Sequence, residues 1–289
     1  MRVILREATR DDTLRLDAFL AKRHETSMFL RGNLRDYSIG RSDHPNAMRY
    51  FLREKGGAIQ GVTAISNGGT LMVQAPDGIA EIALFMKENL PQDTEYTAML
   101  GESGQVAELR EAFGMQDAPT TFDDVEPLFS LDLDNLVVPA NRGSSLRKPV
   151  NEDLAVLEKW AFAYMIETGL GQDNEETRAK SKHDAAERMK SGKMRVLVKN
   201  GDLVAQTAFN AVLPDTVQVG GVYTPPERRV RGYARLAVAL HLAEARAAGV
   251  KNAVLFSADE NASRAYRAIG FEQIGHYTIT LFAPADPKD

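Results

Sequence analysis

The sequence predicts an α/β fold in which twisted mixed sheets are flanked by helices, laid down twice in one chain. Three observations carry this expectation. Short β-branched runs alternate with amphipathic helical runs along the whole length. A pattern that begins at Leu5 begins again at Leu146. The stretch 219–271 is the densest: a strand, an arginine-rich turn, a long helix, a second apolar strand and a short helix closed by Gly270-Phe271.

The 289 residues exceed one modal domain, so two domains of moderate size are expected. A net charge of −5 speaks against a general nucleic-acid binder, because neutralising phosphates needs a basic excess. The absence of cysteine removes disulfides, thiolate metal sites and cysteine nucleophiles together. The start, MRVILREATRDD, becomes charged too soon for a secretory signal, and no apolar run approaches a membrane span. The expectation is a cytoplasmic protein with no membrane, nucleic-acid or metal partner. Monomer and homodimer both stand as oligomeric states.

Taken in order, residues 5–12 read as a short strand leading into a helix, with Thr9 as N-cap and acids in the first turn. Leu14, Leu16, Phe19 and Leu20 supply that helix's apolar stripe. The glycine pairs Gly56-Gly57 and Gly68-Gly69 are hairpin signals, which makes 58–66 and 70–75 antiparallel strands. Residues 79–88 read as a helix, 95–100 as a strand, 106–113 as a second helix and 125–133 as a closing strand.

The second half repeats this order. Residues 146–153 follow the pattern of 5–12, and the run through Leu154, Leu157 and Phe162 repeats the first helix. Residues 196–205 form a strand, an Asn-Gly turn and a strand. Leu109-Arg110-Glu111-Ala112-Phe113-Gly114-Met115 lies over Ala265-Tyr266-Arg267-Ala268-Ile269-Gly270-Phe271. The expected division is one domain over 1–133, a linker over 134–145 with Pro139 and the Asn141-Arg142-Gly143-Ser144-Ser145 run, and a second domain over 146–289.

The two copies part company at the densest stretch. Val217, Val219, Val222 and Tyr223 have strand composition, and Pro225-Pro226 stops the strand because proline cannot donate to a ladder. Arg229-Val230-Arg231-Gly232-Tyr233-Ala234 then turns directly into a helix whose apolar face carries Leu236, Leu240, Ala243 and Ala247. A helix start presents unpaired amides and a partial positive charge, which suits an anion such as a pyrophosphate. The first copy holds only Ala75-Pro76-Asp77-Gly78 at that place, and Arg110 where the second has Tyr266. One active site, in the C-terminal domain, is expected.

Arg229-x-x-Gly232-x-Ala234 after a strand, followed one helix later by Asn261-x-Ser263-x-x-Tyr266-x-x-x-Gly270-Phe271, resembles the acetyl-CoA site of the GNAT superfamily of N-acetyltransferases. The resemblance covers about 146–282 well and the N-terminal half weakly, as for a tandem protein with a degenerate first copy. The variant Gly220-Gly221-Val222-Tyr223-Thr224-Pro225-Pro226 is similar to a bacterial subgroup of tandem GNAT proteins. The resemblance implies that backbone groups of Val222 to Thr224, Tyr223 between them, hold a pantetheine arm as an added strand. It further implies that amides of Val230, Arg231, Gly232, Tyr233, Ala234 and Arg235, next to Arg229, hold the pyrophosphate. Asn261 and Ser263 would contact the cofactor arm, and Tyr266 would sit near the thioester sulfur. Arg228, Arg231 and Arg264 are further candidates for cofactor phosphates.

Tyr266 is the candidate acid. A free phenol titrates near ~10 and a free thiol near ~8.5, so full proton transfer to a thiolate is uphill by roughly 2 kcal/mol unless the site shifts these values. Hydrogen bonding to the developing thiolate charge serves as well as complete transfer. Many family members place a glutamate on the fourth strand, where this sequence has Gly220-Gly221. A water relay or Glu167, after the second domain's first helix, takes the base's place in this reading. Trp160, Phe162 and Tyr164 fit a core cluster or the acceptor pocket, His241 the long helix, and the Lys180 to Lys190 cluster a solvated face. The function expected is acetyl transfer from acetyl-CoA to a primary amine, on a small molecule or a protein. The alternatives are a non-catalytic acyl-CoA sensor, O-acyl transfer and a longer acyl chain.

Overall fold

The computed structural model describes residues 2–40, 43–141 and 143–284. Arg142 of the expected linker lies outside these, as do Met1, Arg41, Ser42 and 285–289 of the expected domains. The chain forms two compact units, one of residues 1–126 with 275–289, the other of residues 127–274.

The first unit opens with β1 (Val3–Glu7), α1 (Thr13–Ala21) and α2 (His24–Tyr37). β2 (Met48–Lys55), β3 (Ala58–Ser66) and β4 (Thr70–Gln74) follow as an antiparallel meander through the expected glycine turns. After α3 (Ile79–Asn89), β5 (Ala98–Glu102) pairs parallel with β4, and α4 (Ser103–Phe113) leads to β6 (Thr120–Asp132). Leu71, Val73, Ile79, Ile82 and Met86 are buried on one side, Leu16, Leu20, Tyr50 and Leu52 on the other.

The second unit begins within β6, whose end pairs antiparallel with a later strand. It continues through β7 (Ser144–Arg147), α5 (Leu154–Glu167), α6 (Glu175–Lys190), β8 (Met194–Lys199), β9 (Asp202–Val212) and β10 (Thr216–Tyr223). α7 (Tyr233–Ala247), β11 (Asn252–Phe256) and α8 (Glu260–Arg267) complete this unit, and β12 (Glu272–Phe282) leads the chain back into the first. The strand order in this unit is β6-β11-β10-β9-β8-β7. α7 and α8 cover one face through Val217, Val219, Val238, Leu242 and Leu255; α5 and α6 cover the other through Leu157, Trp160, Ala185 and Val196.

These units do not follow the linear boundary at 134–145. Asp132 to Leu128 register with Asn252 to Phe256, and Leu133 and Leu136 are buried in the second unit's core. The expected linker is thus held from its first residues, with Val137 N–H donating to the Ile269 carbonyl at 3.1 Å. Conversely, Tyr277 to Leu281 of β12 pair with Glu102 to Ala98 of β5, which places the C-terminal strand in the first unit.

The repeat seen in sequence is a repeat of chemistry. Asp12 accepts from Arg6 Nη1 at 2.7 Å and from the Thr9 N–H at 2.8 Å. Asp153 accepts from Arg147 Nη1 at 2.5 Å and from the Val150 N–H at 2.8 Å. In both copies the acid, rather than the residue at the expected cap position, closes the turn from strand to helix. The Arg147 guanidinium holds the buried Asp153 carboxyl below its ordinary value of 3.8. A depressed acid stabilises the fold above its unfolded pKa and loses that contribution as pH falls through the folded one. Asp153→Asn should therefore cost about 1–3 kcal/mol at neutral pH. In urea unfolding, the gap from the native protein should narrow below pH ~4.

Candidate functional site

The β10–β11 ladder is short. It registers Thr216↔Asn252, Val217↔Ala253 and Gln218↔Val254, while β10 runs on to Tyr223 and β11 to Phe256. Beyond Gln218 the backbone of β10 has no strand registered on this side, so polar groups around Gly221, Val222 and Tyr223 face a gap.

On its other side β10 carries a bulge. Gly220 pairs with Ala208 and Tyr223 with Gln206, which makes three steps on β10 against two on β9. Gly221 takes φ +58, a conformation open to glycine, and its carbonyl accepts from Gln206 Nε2 at 3.1 Å. The bulge flips the phase of the strand. Val219 and Val222 both pack toward α7, and Tyr223 turns to the α5 side, where its ring lies 5.9 Å from that of Trp160.

There Tyr223 meets Glu167 at the end of α5. The Tyr223 hydroxyl donates to Glu167 Oε1 at 3.0 Å, and Arg229 donates to Glu167 Oε2 and, through Nε, to the Thr224 carbonyl at 2.9 Å. Burial, and after it the Glu167 carboxylate, pushes the Tyr223 hydroxyl up to about 12, so it remains a donor at neutral pH. Glu167 thus fixes the end of β10 to the loop that follows. Arg229, expected next to the cofactor's pyrophosphate, has its side chain in this clamp.

The loop enters α7 through two left-handed residues, Val230 at φ +60 and Gly232 at φ +77. Val230 is a β-branched residue in a costly conformation with a fully exposed side chain (104 %). The first hydrogen bond of α7 runs from Leu236 N–H to the Gly232 carbonyl at 3.0 Å, leaving the amides of Tyr233, Ala234 and Arg235 without helical acceptors. Arg235 Nε is buried without a partner, and its Nη2 lies 3.5 Å from where a Cβ on Gly232 would stand. Positive φ at the loop, orphan amides and an unneutralised guanidinium together suit an anion. The Tyr233 side chain does not take part, being buried with Lys199 Nζ 5.5 Å from its ring centre.

α8 is tied to the end of β11. Asp259 caps it through the Ala262 N–H at 2.7 Å, and the Ser263 hydroxyl donates to Ser257 Oγ at 2.9 Å. Ser263 is 1 % exposed, so its expected cofactor contact is replaced by a positioning role. One turn on, Tyr266 packs its ring against Phe271 at 6.0 Å in the cluster that holds Val219 and Leu255. Asn261 is exposed and accepts from Arg264, and Arg228 pairs with Asp202 at 2.9 Å. Among the arginines named from sequence, Arg231 is exposed without an ion pair among the described residues. His241 is buried and stacked on Phe209 at 3.7 Å; burial holds it down at about 3, hence neutral.

The equivalent place in the first unit is closed. The Ala75 N–H beyond β4 donates to Gln105 Oε1 at 2.6 Å, and Arg53 lies where a Cβ on Gly78 would come within 2.3 Å of its Nε. Arg53 pairs with Glu81 in the first turn of α3 at 2.9 Å, so that helix start is neutralised internally. Arg110, opposite Tyr266 in the repeat, pairs with Asp123 at 2.8 Å.

Among the described residues no group of His, Asp and Glu could hold a metal ion, and no helix is long and apolar enough to cross a membrane.

Residues 155–271 match the model of the acetyltransferase (GNAT) family. Solved structures with a similar fold include a Drosophila protein at 15 % identity, covering 97 % of this chain and 99 % of that one with a TM-score of 0.63. A GCN5-related N-acetyltransferase from Kribbella flavida is 18 % identical, with coverage of 92 % and 96 % and a TM-score of 0.58. A tandem GNAT protein from the clavulanic acid biosynthesis pathway is 18 % identical over all of both chains, with a TM-score of 0.52. A search of curated proteins gave no match. At these identities the structures establish the fold alone.

Gly232→Ala tests the loop. A Cβ there would meet nothing closer than 3.5 Å, so the penalty is conformational, about 1–2 kcal/mol. The expected outcome is a matching loss in urea unfolding, with the loop's anion affinity reduced alongside.

Proposed function

We propose, from the premise that the chain carries a GNAT domain, that the second unit is an acetyl-CoA-dependent N-acetyltransferase acting on a primary amine by direct attack. The observation that carries the reading is the parting of β10 from β11 next to an anion-binding turn. The gap gives an extended pantetheine arm backbone partners at Val222 and Thr224, in the manner of an added strand. The amides of Val230 to Arg235, with Arg235 and Arg231, hold the pyrophosphate. Asn261 lies at the exposed face of α8, within this proposed path for the arm.

Acetyl-CoA supplies a carbonyl activated as a thioester; the amine forms the new C–N bond, the C–S bond breaks, and the proton lost by nitrogen balances the one gained by sulfur. The protein's share is alignment, with backbone amides at the gap oriented toward the carbonyl oxygen. Tyr266, held by α8, donates a hydrogen bond to the leaving sulfur. Glu167 serves as a positioning residue, because both its oxygens are engaged by Tyr223 and Arg229. With glycines at 220 and 221 the strand offers no carboxylate, and water carries the proton away from the amine.

Tyr266→Phe keeps the ring and its packing and removes the donor. Thiol release from acetyl-CoA across an amine panel should fall by about tenfold or more, with the calorimetric affinity for acetyl-CoA little changed. An unaltered rate would remove Tyr266 from the reaction. Binding without thiol release for any amine would make the chain an acyl-CoA-binding module instead.

A further inference from the structure

The face of β10 opposite α7 carries polar groups that cofactor binding does not use. A Cβ on Gly221 would lie 2.3 Å from Arg188 Nη1, and one on Gly220 would lie 2.2 Å from Asn210 Nδ2. Both glycines are thus covered by a donor-bearing side chain. Asn210 reaches this position because it is the extra residue where the β9 register slips, between Ala211 opposite Gln218 and Phe209 opposite Val219.

Arg188 stands in the last turn of α6 and makes no side-chain hydrogen bond or ion pair with any described residue. Nearby acids leave it free. Asp184, one turn earlier, forms no ion pair with it; Glu187 pairs with Lys190 at 2.8 Å; Glu167 is held by Arg229 and Tyr223. Gln218 lies two residues from Gly220 and so on the same face of the strand. Its side chain is fully buried, and neither Oε1 nor Nε2 has a partner. A buried amide left unpaired on both sides costs about 1–3 kcal/mol per group, so Gln218 is a polar group that an incoming carbonyl or N–H would stabilise.

We infer that Arg188, Asn210 and Gln218 form the acceptor subsite, and that the acceptor is a small amino acid whose carboxylate pairs with Arg188. This rests on the acetyl-transfer reading. A guanidinium over the strand repels a bare ammonium and receives a carboxylate in a forked pair. Gly221, under Arg188, and Val222, at the gap, are adjacent in β10, so one small molecule can place its carboxylate on Arg188 and its amine at the gap. The amides of Asn210 and Gln218 can both donate and accept, which suits a polar amine or side chain rather than a second cation.

The test compares amino acids with the matching amines that lack the carboxylate, with spermidine and O-phosphoethanolamine alongside, by thiol release. The carboxylated members should show about tenfold or higher kcat/KM, the return on one charge-assisted pair. Arg188→Gln should remove this preference through the acceptor KM, leave the acetyl-CoA KM and the urea midpoint unchanged, and be partly rescued by Arg188→Lys. Spermidine or the decarboxylated amines performing as well as the amino acids would overturn the proposal, as would preference for the phosphorylated amine or full activity of Arg188→Gln.

Binding is read separately from the fluorescence of Trp160, the single tryptophan, whose ring lies 5.9 Å from that of Tyr223. N-acetyl amino acids should bind more tightly than the corresponding N-acetyl amines, and Arg188→Gln should abolish the difference. Arg188-dependent binding without turnover of any amine would sink acetyl transfer and leave the carboxylate subsite standing. Turnover without carboxylate preference would do the reverse, and neither binding nor turnover would sink both.

Discussion

The ladder between β10 and β11 ends at Gln218↔Val254, and the second unit is arranged around that ending. A sheet interior normally satisfies every backbone amide and carbonyl. Here a strand in mid-sheet keeps pairing on one side and stops on the other, which needs compensation at several points. Gln206 satisfies the Gly221 carbonyl, the bulge rotates Tyr223 onto α5, and Glu167 with Arg229 fixes the strand's end to the loop. Between them these contacts take up the Gly221 and Thr224 carbonyls at the edge of the gap.

The first unit shows what the same pattern becomes when its open places are filled. Both units begin with a strand arginine gripping an acid at the helix start, Arg6 with Asp12 and Arg147 with Asp153. They diverge at the next parallel pair. Gln105 takes up the Ala75 amide, and Arg53 paired with Glu81 occupies the space at the start of α3. At the start of α7 the amides of Tyr233, Ala234 and Arg235 lack helical acceptors. Local polar satisfaction, more than backbone topology, thus separates a structural copy from one able to hold an anion.

Much of this was legible in the sequence. Glycine pairs and Asn200-Gly201 marked the hairpins, and the arginine-rich turn marked the entry to α7. Other features left no periodic trace. α6 buries only Thr177, Ser181 and Ala185, too polar a face to stand out, and its Arg188 reads as solvated until the fold lays it over Gly221. Strand alternation carried past Gly220 puts Tyr223 on the wrong face, because one extra residue inverts every position after it. The passage of β6 into the second unit and of β12 into the first was hidden, since local patterns specify a strand and not the sheet that receives it.

Sorting the cations by partner gives the last step. Arg195, Arg228, Arg229 and Arg267 each have a carboxylate within 3.1 Å, although the chain as a whole carries an excess of acids. With acids in excess, an arginine left unpaired reflects its placement rather than a shortage of partners. Arg235 lies beneath Gly232, and Arg188 lies over Gly221. Leaving a buried guanidinium nitrogen or a buried carboxamide unpaired costs about 1–3 kcal/mol, a cost that a ligand with matching polar groups would offset. Arg235 and Gln218 carry such unpaired groups, at the anion-binding turn and on the opposite face of β10 respectively. On the proposed acetyl transfer, that separation lets two substrates approach one strand from different directions and meet at the break in its ladder.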